Sequence, residues 1–381
     1  MTRFATVRAA AIVGVLALVA SPLRAQNSVG GGIDYMGYAF DPGLGADAAQ
    51  LLMIPVAVQV PAMPGLSFDI FGAWAEGRVE RGDTLYKLSG LVDTGVRAAY
   101  QATPWALVTL GANVPTGDAT HDGQEAIVAS LLSTDILGFR EASWGRGFAL
   151  TASAAVARSM GNFGLGLAGA YSMRGKFSPD AADEDFEYQP GSEARIRLGV
   201  DRNFGNSTLT VGGTFITYTQ DQANGQNLFQ AGKRFRFDAS YAFRMAAGVW
   251  TIYAADLVRQ TGTLELPNVD SQGTPLGTFT SIDTPKQNLA VAGVMGAVAL
   301  GGGFVFRPHV DFKLQAREDS SGNDTGSGWL VAAGGDVPVR IFGGHDFFPK
   351  ARVLLGSLKD PTGNGVRVFG MEFKGTMVAS F

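Results

Sequence analysis

The sequence predicts an all-β protein, a transmembrane antiparallel β-barrel of about sixteen strands, with fourteen as the alternative count. Three observations carry this expectation. Apolar and charged residues alternate with period two over long stretches, the connections between those stretches alternate between short and long, and after the first 25 residues no apolar run approaches 18. Period two sends alternate side chains to opposite faces of a strand. A barrel in lipid has one apolar face and one polar face, and a closed barrel is the remaining way to span hydrocarbon when no helix is long enough.

The chain opens with Met1, Arg3 and Arg8, runs apolar from Ala9 to Ala20, and breaks at Ser21-Pro22 before Ala25 and Gln26. A basic start, a short apolar run and a small residue for cleavage form the pattern of a secretory signal peptide, and the run is too short to cross roughly 30 Å of hydrocarbon as a helix. Residues 1–25 are therefore expected to be a signal peptide and 26–381 a single barrel domain. There is no cysteine, which excludes a lipid-anchored N-terminal Cys, a disulfide framework and thiolate chemistry. Removing residues 1–25 takes away three arginines and no acid, so the 30 basic residues fall to 27 against 34 acidic ones, a net charge of about −7. Nucleic acid is not expected as a partner, because its affinity comes from Lys and Arg neutralising phosphates. The composition, 52 Gly and 25 Phe with 17% charged residues, is unusual for a water-soluble domain of this size.

Strands are predicted at roughly 28–40, 50–60, 66–78, 90–101, 105–115, 147–158, 162–174, 191–203, 207–219, 231–245, 248–262, 286–300, 303–318, 327–342, 346–358 and 364–381. Most are long enough to span when tilted. The clearest sets Phe304, Phe306, Pro308, Val310, Phe312 and Leu314 against Arg307, His309, Asp311, Lys313, Gln315 and Arg317. A second sets Phe235, Phe237, Ala239, Tyr241, Phe243 and Met245 against Arg234, Arg236, Asp238, Ser240 and Arg244, and a third sets Ala194, Ile196, Leu198 and Val200 against Glu193, Arg195, Arg197 and Asp201.

The connections after even-numbered strands are short, as at Ser159-Met160-Gly161, Phe204-Gly205-Asn206 and Gly301-Gly302, while 116–146, 175–190 and 263–285 are long and mostly polar. Outer-membrane barrels sort their loops in this way, with the short side periplasmic. Within 116–146, the stretch from Ala126-Ile127-Val128-Ala129 to Ile136-Leu137 is apolar enough to pack. Two outcomes stay open for it: folding inward to narrow the lumen, or capping the outer mouth as a short helix.

In the last strand Phe369, Met371, Phe373, Gly375, Met377, Ala379 and Phe381 alternate with Gly370, Glu372, Lys374, Thr376, Val378 and Ser380. This resembles the C-terminal strand by which bacterial outer-membrane barrels are recognised for assembly, with Phe373 and Phe381 as the assembly-signal residues and Gly375 one place off the usual glycine. Deleting Phe381 is accordingly expected to reduce insertion in cells while leaving refolding in detergent intact. Equal cellular insertion, read by membrane fractionation, would count against that role.

A second resemblance rests on Ser89-Gly90-Leu91-Val92-Asp93-Thr94-Gly95 through Tyr100, then Leu107 to Gly111 and Asn113-Val114-Pro115-Thr116-Gly117-Asp118. These residues are similar to the outer-membrane transporter-like proteins associated with meta-cleavage pathways of phenol degradation, in which a Gly-Leu-x-Asp strand start is followed by a strand ending in Pro-Thr-Gly. The resemblance covers about 30 residues. It implies passage of small, often aromatic or hydrophobic molecules. Taken locally, Pro115-Thr116-Gly117-Asp118 ends a strand and opens a turn, for which Pro, Gly and Asp are the expected chemistry.

Signals for catalysis are weak. The three histidines are His121, His309 and His345. His121 with Asp122 and Glu125 fits no tight metal-ligand spacing, and His309 between Arg307 and Asp311 lacks a Gly-x-Ser-x-Gly partner. Gly161 to Gly166 is glycine-rich without the strand-to-helix context of a phosphate loop, and Asp319 to Gly328 reads as a flexible external loop. No cofactor, metal site or enzymatic activity is expected.

The expected function is an outer-membrane channel for passive diffusion of small molecules, aromatic or hydrophobic compounds among them. The expected pore-lining residues are Arg195, Arg197, Arg234, Arg236, Asp238, Arg244, Arg307, His309, Asp311, Lys313, Arg317, Arg340, Lys350 and Arg352. Expected partners are outer-membrane lipids, the barrel-assembly machinery and small-molecule solutes. A surface-binding barrel with ligand-binding external loops is the second reading, and an outer-membrane hydrolase the third. The first strand's start within a few residues of Gln26 leaves no room for an N-terminal plug.

Overall fold

Closing into a tube gives strands that alternate apolar and charged residues two separate faces and leaves no edge unpaired. The computed structural model, which describes residues 27–380 apart from 184, 247, 270–274, 342–344 and 361, is such a tube. The signal-peptide expectation and Phe381 lie outside the described residues. In order, β1 (Ser28–Phe40), β2 (Ala48–Met63) and β3 (Leu66–Arg81) lead to a divided stave. Its halves, β4 (Thr84–Leu91) and β5 (Thr94–Thr103), pair with successive parts of β3. The wall continues through β6 (Ala106–Val114), β7 (Ala149–Met160), β8 (Phe163–Arg174), β10 (Glu193–Phe204), β11 (Ser207–Tyr218), β14 (Arg234–Met245) and β15 (Gly248–Arg259). It ends with β18 (Lys286–Gly301), β19 (Phe304–Glu318), β20 (Gly328–Asp336), β22 (Asp346–Lys359) and β23 (Gly365–Ser380). With β4 and β5 taken as one stave there are sixteen, all antiparallel, and β23 closes on β1 in unbroken register from Ser28↔Ser380 to Phe40↔Val368. The predicted architecture is therefore the observed one. Short turns fall where expected; at Gly161 and Gly205 φ is +61° and +58°, conformations that glycine adopts without penalty.

Three local expectations are corrected. The stave predicted at 90–101 begins earlier and breaks at Val92-Asp93. The strand predicted at 327–342 is interrupted at Val337-Pro338, where proline has no N–H to give the ladder; a two-residue piece, β21 (Val339–Arg340), follows. The long connections are not plain loops. Segments β9 (Tyr188–Gln189), β12 (Asp221–Ala223), β13 (Gln226–Gln230), β16 (Thr263–Val269) and β17 (Pro275–Asp283) build a second, five-stranded sheet beyond the outer ends of β8 to β18. The hairpin β12–β13 turns on Asn224-Gly225, both at positive φ. Asn-Gly is the strongest short hairpin signal, so this much was available in the sequence. Asp221 ties the sheet to the barrel rim, accepting from the Tyr188 hydroxyl and, at 2.6 Å, from the Gly191 amide. Burial and that carboxylate push the Tyr188 phenol well above its ordinary range.

The two faces of the wall differ as the alternation requires. Ile196, Leu198, Phe237, Ile252, Phe312, Leu355, Phe369 and Phe373 stand exposed on the outside. Inside, a dry cluster forms against one part of the wall, where Tyr38, Leu51, Ala75, Val79 and Leu88 meet Val128, Leu132, Ile136, Leu137 and Trp144 of the 116–146 segment. The segment and these wall residues together form the buried hydrophobic cluster of the barrel.

Candidate functional site

The 116–146 segment enters the lumen from a single anchoring carboxylate. Asp93, at the break between β4 and β5, accepts from the Asn113 side-chain amide at 2.9 Å, the Gly117 amide at 3.1 Å and the Arg146 amide at 2.7 Å, while its own amide donates to the Trp144 carbonyl at 3.0 Å. Thr116 adds a hydroxyl bond to the Val92 carbonyl and lies 2.9 Å from the Thr94 hydroxyl. Both ends of the segment are therefore held at one point. The residues that carry the second sequence resemblance are those that form this clamp.

Beyond the clamp the chain forms helix α1 (Gly123–Leu132), so the two outcomes left open for the apolar stretch are combined: it is a helix, and it lies inside the barrel. Asp122 caps it, accepting from Gln124 and Glu125 amides at 2.8 Å, and the Glu125 side chain returns to the Asp122 amide at 3.1 Å. This reciprocal arrangement satisfies otherwise orphaned N–H groups and accounts for both carboxylates beside His121. The inward face is sealed by Trp144, whose indole N–H donates to the Ala75 carbonyl at 2.7 Å. Gly77 supplies the hollow for the helix: a Cβ there would lie 2.7 Å from Leu132 Cδ1 and 2.9 Å from Val128 Cγ1. Gly77→Val is therefore expected to overpack this seam by about 1–3 kcal/mol, lowering the melting temperature in detergent; an unchanged melting temperature would show that the helix does not press on β3.

The tip of the segment crosses toward the opposite wall. The Leu137 carbonyl accepts from the Tyr38 hydroxyl at 2.7 Å, the Ile136 carbonyl accepts from Lys313 Nζ at 3.1 Å, and Asp135 accepts from the Gln287 amide at 2.9 Å. Arg140 pairs with Asp34 of β1 at 3.0 Å. One segment thus bridges β1, β18 and β19.

The sequence-predicted lining residues separate into groups. Arg352 lies between Asp311, at 2.6 Å, and Glu372, with Lys350 3.3 Å from Glu372 and His309 3.0 Å from Asp311. Tyr253 meets the same His309 nitrogen at 2.8 Å; no serine hydroxyl is among its hydrogen-bond partners in the described residues, so the hydrolase reading gains no nucleophile here. Around the wall, Arg197 grips Asp238 with two bonds of 2.7 Å, Arg236 stands 4.0 Å from Asp238, and Arg195 pairs with Glu193. Two-pronged guanidinium–carboxylate bonds fix geometry as well as charge. Arg307 is 3.5 Å from Asp336, and Lys313 reaches the inward segment. Arg340 does not join the others: it follows the Pro338 break, pairs with Asp346 at 3.5 Å and is 79% exposed at the rim. Arg234, Arg244 and Arg317 have no carboxylate within 4 Å among the described residues.

Sequence reasoning left three acids that the wall brings inside out of its lining residues. Asp34 and Glu372 are largely buried between basic partners, and Glu76 holds Arg78 and Lys87. Glu372 stood on the polar side of the alternation in the last strand, whereas β1 is rich in glycine, so its inner face shows little alternation to read.

No family model matches the chain, and no curated protein matches it. The resemblance to the phenol-degradation family is thus without support from relatives. Among solved structures, a loop L8 deletion mutant of OmpT, an outer membrane protein of Vibrio cholerae, is 11% identical, with 92% of this chain and 99% of that chain covered and a TM-score of 0.42. A mutant of Rh. blastica porin is 12% identical, with 91% of this chain and 99% of that chain covered and a TM-score of 0.37. The functional reading rests on the chain's own geometry.

Proposed function

We propose that this protein is an outer-membrane channel for passive diffusion of small molecules, aromatic or hydrophobic compounds among them, and that it is not an enzyme. The observation that carries the reading is the pairing of an apolar outside with a charged inside on a sixteen-stave tube whose bore one segment crosses. Contiguous apolar surface of this extent is untenable in water, and a barrel of this size has room for an aqueous interior. At the short-turn rim Arg202 lies over the Phe163 and Phe204 rings, at 4.8 and 4.5 Å, as an arginine does where it leaves an apolar belt for the headgroup layer. Single-channel conductance in planar bilayers, repeated with aromatic, fatty and sugar solutes, tests the reading. Absence of conductance from a correctly folded barrel would overturn it in favour of the surface-binding barrel, which the external five-stranded sheet favours.

The channel is expected to prefer anions weakly. Many basic side chains of the inner wall are neutralised by neighbours, yet Arg234, Arg244 and Arg317 are not, and rings of basic groups in a pore favour anions. Arg234→Glu with Arg236→Glu should reduce the preference in a salt-gradient reversal-potential measurement, because low-dielectric walls limit screening. A cation-selective wild-type pore would refute it.

A further inference from the structure

The outer end of four adjacent strands carries a row of like charge. Cross-strand register sets Arg234 of β14 opposite Arg259 of β15, Arg259 opposite Gln287 of β18, and Gln287 opposite Arg317 of β19. Directly opposed like charges destabilise a sheet, and the surroundings do little to relieve them. Among the described residues, the carboxylate within 4 Å of the three arginines is Asp135, at 3.9 Å from Arg259, and it comes from the tip of the inward segment. Among the described residues, the Nε atoms of Arg234 and Arg317 are buried without an acceptor. A buried donor without an acceptor forfeits its solvation, which leaves these two guanidinium groups short of partners among the described residues. On the far flank the Tyr218 ring lies under Arg234, 5.3 Å from the guanidinium carbon, which holds that side chain in place.

We propose that this row is a binding site for a small oxyanion, a carboxylate or a phosphate, arriving through the outer mouth. The guanidinium fork matches two oxygens of a planar or tetrahedral oxyanion, and the Gln287 amide, which donates to Asp135 and to the Gln315 side-chain oxygen, supplies a further donor between the arginines once Asp135 is displaced. Asp135 is the resident carboxylate of the site: it takes the Gln287 donor at 2.9 Å and faces Arg259 at a looser 3.9 Å, so a solute carboxylate or phosphate competes with it directly. The proposal deepens the channel reading and rests on it for its route of entry.

The test uses the purified full-length barrel, with benzoate and inorganic phosphate as separate probes. In planar bilayers each probe is titrated into chloride and its block of single-channel current measured; in detergent micelles its binding is measured by isothermal titration. Saturable block and binding are expected, weakened at least tenfold by Arg234→Gln with Arg259→Gln and strengthened severalfold by Asp135→Asn. Asp69→Asn, which removes a carboxylate paired with Arg97 on another part of the wall, should leave both readouts unchanged. Binding of benzoate alone assigns the site to carboxylates, and of phosphate alone to phosphate. Binding in micelles without conductance would overturn the channel reading while supporting the site. Normal chloride conductance with neither probe bound, or tightening by Asp69→Asn equal to that by Asp135→Asn, would overturn the site and leave the channel reading standing. Should the double arginine variant fail to fold, the Asp135→Asn comparison decides alone.

Discussion

Trp144→Ala is expected to free the inward segment, raising single-channel conductance severalfold and lowering the melting temperature of the barrel. Trp144 is 1% exposed, the largest fully buried side chain, and it fills the seam between the segment and β3. Truncating a buried tryptophan costs about 3–5 kcal/mol, and the Ala75 carbonyl loses its indole donor as well. The tip contacts that remain are single hydrogen bonds from Tyr38, Lys313 and Gln287, of about 1 kcal/mol each, and the Arg140–Asp34 pair; with the apolar seam open they hold the segment less firmly. Planar-bilayer recording checks the first effect and thermal unfolding in detergent the second. Unchanged conductance from a folded Trp144→Ala barrel would show that the segment does not limit the bore.

Phe237→Arg is expected to impair insertion by about 2–4 kcal/mol, the cost of a cation on the lipid face near the midplane. Phe237 is 56% exposed on the outer face of β14, flanked by Arg236 and Asp238, which point inward, where Asp238 pairs with Arg197. Phe306→Arg should behave in the same way. Arg307→Ala, on the opposite face of β19, loses a 3.5 Å pair with Asp336 and should fold nearly as the wild type does. Urea titration of folding into lipid vesicles separates these cases. Equal stability of Phe237→Arg and Arg307→Ala would reverse the assignment of the two faces.

Much of the barrel was legible because burial in a tube is written at a fixed period. Where inner and outer residues differ in polarity, as in β14 and β19, alternation alone placed Arg236 inside and Phe237 outside. Where they do not, it was silent: β1 reads Ser-Val-Gly-Gly-Gly-Ile and conceals Asp34. The inward segment was half legible. Its apolar residues announced that it would pack, but periodicity does not say against what; that is decided by Gly77 leaving room on the wall and by Asp93, whose role depends on residues from three separate stretches of chain. The outer sheet was missed because three of its strands are only two to five residues long and lie in stretches that read as polar loops, although Asn224-Gly225 marked one of its hairpins. The arginine row could not be read from any one strand, because it exists only once four strands are set in register.

The clamp at Asp93 makes the inward segment a cassette. Because its two ends meet at one carboxylate, the barrel bears the cost of bringing them together whatever lies between, and loop closure depends only weakly on length. Residues 118–145 could be exchanged for a shorter or differently charged insert without disturbing the register of β5, β6 or β7. A single wall of sixteen staves can in this way carry inserts of different bulk, with insert and barrel free to diverge at separate rates.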